Sequence, residues 1–420
     1  MKIKNLLSDT RRELKIYFAV IALTALALGF SNDIISNYFK DAYNASAYQR
    51  GLIEFPREIP GVLCIFLIAG LGFLRDIKTA ILAQILSIFG IAVLGIFAPS
   101  FSVMLIFIFI NSLGMHLFMP LQDSIGISLT EPQKIGRLMG QFKGVTTAFQ
   151  MLAAILVLIG FKTGYFSFTK PIKPVFLISA GLLIIVLIFL IVLNKYIHNN
   201  ENNNQNNDQN SDQYNEQNNK KKLNFVFRKE YKYYYTLVIM FGVQKQIMLV
   251  YGPWVLIDLL NKKADTIALL NIIGAFIGMF FIPAVGRWLD KFGIKKLLYA
   301  DALSFIGVYL LYGFLSMGYS GGTLSKFGLP VFLAYVLFII DRMSTQLGLV
   351  RTVYLRTIAV DKSDITPTLS LGLSMDHIVS IASAFVGGII WGSWGPQYIF
   401  FFASFLSIMN LYVAYKVKLK

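Results

Sequence analysis

Charged side chains interrupt several long apolar segments of this chain. Residues 54–60 read EFPREIP, which places Glu54, Arg57 and Glu58 directly before the apolar run GVLCIFLIAGLGFL. A charge at the centre of a bilayer costs about 2.5–3.5 kcal/mol on insertion scales, so such residues usually face a cavity or a partner. Pro56 and Pro60 free backbone carbonyls that neighbouring helices or cavity water can satisfy. The stretch predicts part of a polar site inside a membrane.

Other apolar segments also carry charged or titratable residues near their middle. Acidic and basic groups roughly balance, which favours a small polar, charged or zwitterionic solute over a lipophilic drug, and Lys143 adds a slight preference for an anion. Histidines and buried carboxylates could also carry a coupled proton. For each residue the alternative is a pair that locks helices together, as Glu54 could form with Arg50 or Arg57. The further candidates for the substrate and ion cavity are His116, Lys143, Lys245, Asp341, Arg342, Asp376 and His377.

The elements that must position these residues are membrane-spanning helices. The chain is 56% apolar and 14% charged, whereas soluble domains have about a quarter charged residues. Apolar segments of about 20 residues recur about twelve times along it. Lipid-exposed backbone must satisfy its own hydrogen bonds, so these segments are predicted to be helices. The predicted fold class is an all-α integral membrane protein with 12 transmembrane helices.

The basic residues indicate the orientation of these helices. The net charge is +16, and with a cytoplasmic N-terminus about 26 of the Lys and Arg residues lie on the cytoplasmic side and about 8 on the other. Both termini are therefore predicted to be cytoplasmic, and the first segment is an uncleaved span. Because the basic residues cluster between apolar segments, we expect no nucleic-acid partner. The scattered His, Cys and carboxylate residues lack the spacing of a metal or catalytic centre, so we expect neither an enzyme nor a cofactor.

An asparagine-rich segment divides the spans into six and six. Residues 199–219 read NNENNNQNNDQNSDQYNEQNN, a composition that cannot bury apolar surface and is typical of disorder. It is either a tolerated linker or a regulatory loop. The predicted domains are an N-terminal bundle at 1–195, a disordered cytoplasmic linker at 196–228 and a C-terminal bundle at 229–420.

A short loop between two spans carries a recognisable motif. GRWLDKFGIKK begins at Gly286 and resembles the cytoplasmic signature G-x-x-x-D-[RK]-x-G of the major facilitator superfamily, with matches at Gly286, Asp290, Lys291 and Gly293. The signature belongs after spans two and eight, and this loop follows the eighth span. After the second span, GFLRDIKTA keeps only Gly72 and Asp76 of the pattern.

The resemblance implies two six-helix bundles that alternate access to a site near the bilayer midplane. Such loops latch the two halves in one state, so Asp290 would pair with residues 134–137, Arg351 or Arg356. The implied protein is a monomeric, multi-pass, secondary active transporter of the bacterial cytoplasmic membrane, with a small solute, H⁺ and the lipid bilayer as partners. An exporter of drugs or metabolites is the alternative, although the fifth span lacks the proline motif of drug antiporters. A membrane-embedded sensor or enzyme is a more distant alternative.

Overall fold

The computed structural model describes residues 12–32, 34–71, 74–129, 135–207, 227–361 and 364–417. Within these ranges every regular element is helical. The helices of the N-terminal half are α1 (Arg12–Ser31), α2 (Ile35–Tyr43), α3 (Ala47–Gly70), α4 (Asp76–Ile96), α5 (Phe101–Ser128), α6 (Ile135–Lys162) and α7 (Pro174–Asn207). Those of the C-terminal half are α8 (Lys232–Trp254), α9 (Ala264–Ser320), α10 (Leu329–Gln346), α11 (Gly348–Ile358), α12 (Ile365–Ser393) and α13 (Pro396–Lys416).

These helices account for the twelve predicted spans. Among the described residues, nine helical segments are long and apolar enough to cross a membrane. One of them, α9, contains two predicted spans, because Gly293 breaks its helical backbone with φ 79° and ψ 165°. The charge-bearing α3 and the helix α8 supply the remaining two. The prediction of an all-α membrane protein with twelve spans is confirmed.

Two predicted spans are each built from two helices. The first consists of α1 and α2, and α2 ends where Asn44 adopts a left-handed conformation with φ 48°. The backbone N–H of Asn44 donates to the carbonyl of Lys40 at 2.8 Å, which satisfies one of the last free carbonyls of α2. The tenth predicted span changes from α10 to α11 at Leu347. By contrast, α3 continues through both Pro56 and Pro60.

The chain forms two compact units. The first comprises the described parts of residues 1–32, 63–157 and 164–222, and the second those of residues 33–62, 158–163 and 223–420. The α2 helix and the first two-thirds of α3 thus belong to the same compact unit as α8 to α13. The division into bundles at 1–195 and 229–420 stays a prediction.

Each unit has its own apolar core. In the first unit, Tyr17, Leu117, Phe118 and Leu190 are among the residues that pack together from α1, α5 and α7. In the second unit, a core rich in aromatic rings includes Tyr231, Tyr234, Tyr235, Leu298 and Tyr354. Because these apolar side chains are buried together, each core fixes the positions of the helices of its own unit relative to one another, and with them the positions of their polar faces.

The predicted disordered linker begins in a helix. The α7 helix continues past the apolar segment to Asn207 and includes the first asparagines of the tract. Extending an existing helix adds one hydrogen bond for each residue that is fixed, whereas nucleating a new one is unfavourable, so a polar segment can prolong a helix that it would not start. The helix thus covers the first residues of the predicted linker, the disorder of the tract stays a prediction, and residues 208–226 lie outside the described residues.

Candidate functional site

The carboxylate of Glu54 is held by basic side chains of its own helix. Arg50 Nη1 donates to Oε1 of Glu54, and Arg57 Nη1 donates to the same oxygen at 2.5 Å. The other oxygen, Oε2, accepts a hydrogen bond from Nε2 of Gln246 on α8 at 2.9 Å. Residues three and four positions apart lie on one helix face, which brings both guanidinium groups to one carboxylate. Glu54 is 0% exposed, so the pairing compensates a fully buried charge.

One turn further along α3, Glu58 reaches α12. Its Oε2 lies 2.9 Å from Nδ1 of His377, and the two side chains are only 12% and 14% exposed. Gly61 lies against the same imidazole, because a Cβ added there would come within 2.6 Å of Cε1 of His377. The lack of a side chain at Gly61 therefore makes room for the contact between α3 and α12.

A second ion pair joins α8 to α12. Lys245 Nζ donates to Oδ2 of Asp376, and the other carboxylate oxygen, Oδ1, is buried without a hydrogen-bond partner among the described residues. Lys245 and Gln246 are neighbours on α8 and point about 100° apart. Lys245 therefore contacts α12 while Gln246 contacts α3.

These contacts connect three helices through one set of polar side chains, here called the polar cluster. It contains three basic and three acidic side chains, one imidazole and one amide, so its charges balance when the imidazole is neutral. Lys245 and Arg57 keep 28% and 20% of their side-chain surface exposed. The polar cluster consists of Arg50, Glu54, Arg57, Glu58, Lys245, Gln246, Asp376 and His377.

Asp341 and Arg342 lie apart from these contacts. Asp341 is 4% exposed, and its Oδ1 lies 3.4 Å from the hydroxyl of Tyr309 on α9. Arg342 is partly buried, with its guanidinium 5.1 Å from the ring centroid of Phe338. Asp341 contacts α9 and Arg342 contacts Phe338, as expected for sequence neighbours that point about 100° apart on a helix. Their role in a cavity stays a prediction.

Near the outer end predicted for these helices, α2 and α3 make further contacts with α8 and α12. Lys40 Nζ lies 5.6 Å from the ring centroid of Trp254 at the end of α8, and it donates to Oδ1 of Asp258 at 2.5 Å, in the π-helical segment Val255–Leu259 that follows α8. A Cβ added to Gly51 would come within 2.8 Å of the hydroxyl of Tyr251. Backbone of α3 therefore approaches these helices as closely as glycine allows.

The two candidate residues of the first unit occupy different environments. Nδ1 of His116 lies 2.9 Å from the carbonyl oxygen of Ser112, and the backbone carbonyl of His116 accepts from Cys64 Sγ at 3.1 Å. Lys143 is exposed on α6, with Asp123 of α5 near enough to interact with it electrostatically. Both residues lie in predicted spans, and their role in a cavity stays a prediction.

Comparison of the sequence with known protein families assigns the chain to a family. The sequence profile of the Major Facilitator Superfamily matches residues 17–360, which is most of the chain. The chain belongs to the major facilitator superfamily. It is therefore a multi-pass membrane protein with a transporter fold. No curated protein matches the chain by sequence.

Solved transporters of this superfamily share the fold at low sequence identity. A mutant of the nucleoside transporter NupG is similar with a TM-score of 0.74 and 13% identity, covering 96% of this chain and all of the other. A D-xylose-proton symporter gives a TM-score of 0.66 and 15% identity over 96% of both chains. A bacterial homologue of the iron transporter ferroportin, in an inward-facing state, gives 0.70 and 12%, covering 96% of this chain and 98% of the other.

The superfamily motif between the two spans of α9 is exposed. Gly293 has a backbone conformation that only glycine adopts readily, and Asp290 and Lys291 lie on the surface beside it. Gly286 is helical and has open space around it. Of the corresponding loop after α3, Asp76 accepts a hydrogen bond from Ser124 Oγ, while Gly72 lies outside the described residues.

Asp290 was predicted to pair with one of several basic residues. Arg351 is instead buried against Asp301, whose Oδ2 it approaches to 2.9 Å, so it is not the latch partner in this structure. Arg356 is exposed. Residues 131–134 lie outside the described residues, so a pair with the start of the fifth span stays a prediction.

Several residues that the structure makes important were not among the predicted site residues. Arg50 was named as a possible partner of Glu54, which it precedes by four positions on one helix, and Arg351 was named only as a possible partner of Asp290. For Gln246, the only feature of the sequence that pointed to the site was its position beside Lys245. Asp301 and Arg351, and Lys40 and Asp258, are paired across large sequence separations that no local spacing reveals.

A last unpredicted contact ties the end of the linker to the loop between α11 and α12. Nε of Arg228 lies 2.7 Å from Oδ2 of Asp364, and the hydroxyl of buried Tyr231 donates to the same oxygen at 2.7 Å. The hydrogen bond and the charge of Asp364 raise the pKa of Arg228 above its usual value. The backbone N–H of Val360 donates to the Tyr231 hydroxyl at 3.0 Å, which completes the attachment.

Proposed function

We propose that this protein is a secondary active transporter that moves a small polar, charged or zwitterionic solute by alternating access, with a proton as the coupling ion. The observation that carries the proposal is the polar cluster. Its charges lie on three membrane-spanning helices, α3, α8 and α12. Membrane helices that only support a bundle rarely carry such a concentration of ionisable groups, because each must be desolvated.

The composition of the polar cluster supports a polar solute. Lys245 and Arg57 can bind an anionic group, and the carboxylates of Glu58 and Asp376 can bind a cationic one. A zwitterion satisfies both kinds of group at once. A lipophilic cation would instead leave the basic side chains without partners in a site of low polarity. The proposal therefore favours polar solutes over the drug substrates of an exporter.

The solved neighbours support the same solute class. They include transporters that are described as acting on nucleosides and peptides and one described as a D-xylose-proton symporter. All of those solutes are polar, and one of the proteins couples to protons by its name. For this chain, the solute and the proton remain part of the proposal.

The contacts of α2 and α3 with α8 and α12 support alternating access. In the proposed cycle residues 1–195 rock against residues 229–420, so the ion pair of Lys40 with Asp258 and the pairs within the polar cluster must break and re-form. Hydrogen-bonded ion pairs between neighbouring helices can do this without unfolding a helix. Solute binding to the groups released from these pairs would bias the equilibrium between the two states.

Uptake by the purified protein in liposomes tests the proposal. Radiolabelled pools of nucleosides, pentoses, amino acids and short peptides are offered with and without a pH gradient, and protein-free liposomes are the control. We expect one polar pool to accumulate only when the gradient is present. Transport of lipophilic cations with no uptake of any polar pool would favour the exporter instead.

A further inference from the structure

The last helix of the second unit, α13, lies beside the second span of α9, which begins after Gly293. Ser404 Oγ of α13 donates to the carbonyl of Ile306 on α9 at 3.0 Å. Closer to the start of that span, Lys295 Nζ donates to the carbonyl of Tyr415 at 3.2 Å. The two helices therefore run in opposite directions, and the basic residues that follow Gly293 meet the C-terminal end of α13.

Lysine and tyrosine side chains form an exposed surface where these two helix ends meet. Lys416 Nζ lies 5.5 Å from the ring centroid of Tyr415 and 5.8 Å from that of Tyr412. Both rings and all three lysines of this surface are exposed. It is here called the basic patch and consists of Lys295, Lys296, Tyr412, Tyr415 and Lys416.

The positive charge of the basic patch is not balanced by neighbouring carboxylates. Among the described residues, none of its lysines takes part in the ion pairs of the second unit. Lys295 uses one of its three N–H donors on a backbone carbonyl, which carries no net charge. Even when the exposed Asp290 of the same loop is counted, basic groups outnumber acidic ones by three to one. The basic patch therefore offers charge and free donors to an anion.

The surface that continues from the basic patch along the helices is apolar. Phe405, Ile408 and Met409 precede Tyr412 by three to seven positions on α13, so they lie on the same helix face, and all three are exposed. Leu303 of α9 is exposed as well. Tyrosine rings typically lie at headgroup level, between the water and the hydrocarbon. An anion that also carries hydrocarbon chains fits this surface, whereas a soluble phosphate or an acidic peptide would leave its apolar part unused.

We propose that the basic patch binds the headgroup of one anionic phospholipid of the phosphatidylglycerol type, in the leaflet predicted to be cytoplasmic. The phosphate oxygens accept charge-assisted hydrogen bonds from Lys295 and Lys416, and the acyl chains lie along the apolar face below Tyr412. A zwitterionic lipid binds less well, because its own cationic group offsets the phosphate and is repelled by the lysines. The bound lipid joins the end of α13 to the second span of α9. The site requires no solute and is independent of the proposed transport.

Native mass spectrometry of the purified protein in detergent tests the site, with phosphatidylglycerol and phosphatidylcholine of identical acyl chains as probes. We expect the wild type to bind one phosphatidylglycerol in preference to phosphatidylcholine. Lys295→Gln with Lys416→Gln should weaken this binding about 25-fold, because each basic residue near an anionic lipid contributes about fivefold. Lys162→Gln with Lys170→Gln should leave it unchanged, since it removes the same charge from exposed positions at the end of α6 and in the loop that follows.

Two results of this measurement would overturn the proposal. One is equal affinity of the wild type for the two lipids, which decides the question even if a variant does not fold. The other is an equal loss of phosphatidylglycerol binding in the two double variants, which would show that only the total charge of the protein matters.

Amine labelling of the wild type in lipid nanodiscs locates the site without any substitution. Discs of phosphatidylcholine are compared with discs that also contain phosphatidylglycerol, and peptide mass spectrometry measures the labelling rate of each lysine. We expect phosphatidylglycerol to slow the labelling of Lys295 and Lys416 more than that of Lys162 and Lys170. Equal protection of all four lysines would show diffuse attraction and overturn the site. Equal protection of Lys295 and Lys416 by inorganic phosphate, added to discs of phosphatidylcholine, would assign the site to a soluble anion and overturn the lipid.

Discussion

At the scale of single residues, the buried charges of the second unit are arranged as networks of pairs. Glu54 shows this most clearly, because Arg50, Arg57 and Gln246 all donate to its carboxylate. Two guanidinium groups share one anion, so the removal of that anion would leave both without compensation. The carboxylate of Glu54 therefore has a structural role, whether or not it also takes part in transport.

We therefore expect Glu54→Gln to destabilise the protein. Breaking a buried ion pair by removing one partner typically costs about 3–5 kcal/mol, because the remaining charge stays buried. Thermal unfolding of the purified protein in detergent measures the change, with Glu230→Gln as the control, since Glu230 is exposed. Equal unfolding midpoints for the two variants would show that the two arginines do not depend on Glu54.

Lys245 and Asp376 are expected to bind the solute as well as each other. If they only lock α8 to α12, replacing both by neutral groups removes the pair without leaving a buried charge, and transport survives. If they bind solute, the double variant Lys245→Gln with Asp376→Asn folds but loses uptake. We expect the second result. Wild-type uptake by the folded double variant would assign the pair a purely structural role.

The sequence predicted the pairs within a helix but not those between helices. The spacing of Arg50, Glu54 and Arg57 places them on one face, so their contact follows from helix geometry. The contacts of Glu58 with His377 and of Lys245 with Asp376 depend on how three helices are rotated and how far they are apart. No local pattern contains that information.

At the scale of elements, close helix approach at glycine determines which contacts α3 can make. A side chain at Gly51 would collide with Tyr251 and Ala384, whereas a Cβ at Gly70, on the same helix, would meet nothing within 4 Å. The two glycines therefore form a matched pair for substitution. Substitution of Gly51 by valine tests the contact of α3 with α8 and α12. Substitution of Gly70 by valine is the control for the effect of a valine in the helix.

We expect Gly51→Val, but not Gly70→Val, to loosen the outer contact of α3. The readout is the rate at which a membrane-impermeant thiol reagent labels a cysteine introduced at Ala384, in a background where Cys64 is replaced by serine. Ala384 is buried, so labelling requires the helices to separate. A labelling rate unchanged by Gly51→Val would contradict the proposal that the contacts of α3 with α8 and α12 break and re-form during alternating access.

The motif glycines make a second matched pair. Gly293 has φ 79° and ψ 165°, a region that is nearly restricted to glycine, whereas Gly286 is helical and has open space around it. Gly293→Ala should cost about 1–3 kcal/mol of stability, and Gly286→Ala should cost nothing or stabilise slightly. Thermal unfolding midpoints compare the two. Equal midpoints would mean that the loop accommodates a side chain by relaxing.

Element boundaries were harder to predict than the elements themselves. The break between α1 and α2 and the one between α10 and α11 occur inside apolar segments, where hydropathy does not change. The helical start of the asparagine-rich tract was missed because composition describes a segment in isolation. In the structure, that segment continues a helix that is already formed.

At the scale of the whole molecule, apolar segment length and count were sufficient to predict the fold class. Each span needs about 20 residues, and the segments of this chain repeat that length about twelve times. The motif at Gly286–Gly293 then indicated the superfamily, which the profile match confirms. The solute could not be predicted in the same way, because solved proteins with this fold are described as transporters of nucleosides, of D-xylose and of peptides.

The coupling of solute to proton movement is the central claim, and one measurement tests it most directly. Liposomes that contain the purified protein and a pH-sensitive dye are given the identified solute with no imposed pH gradient. We predict that solute entry changes the internal pH, and that the change disappears in the Lys245→Gln, Asp376→Asn double variant. Solute entry at an unchanged internal pH would contradict proton coupling.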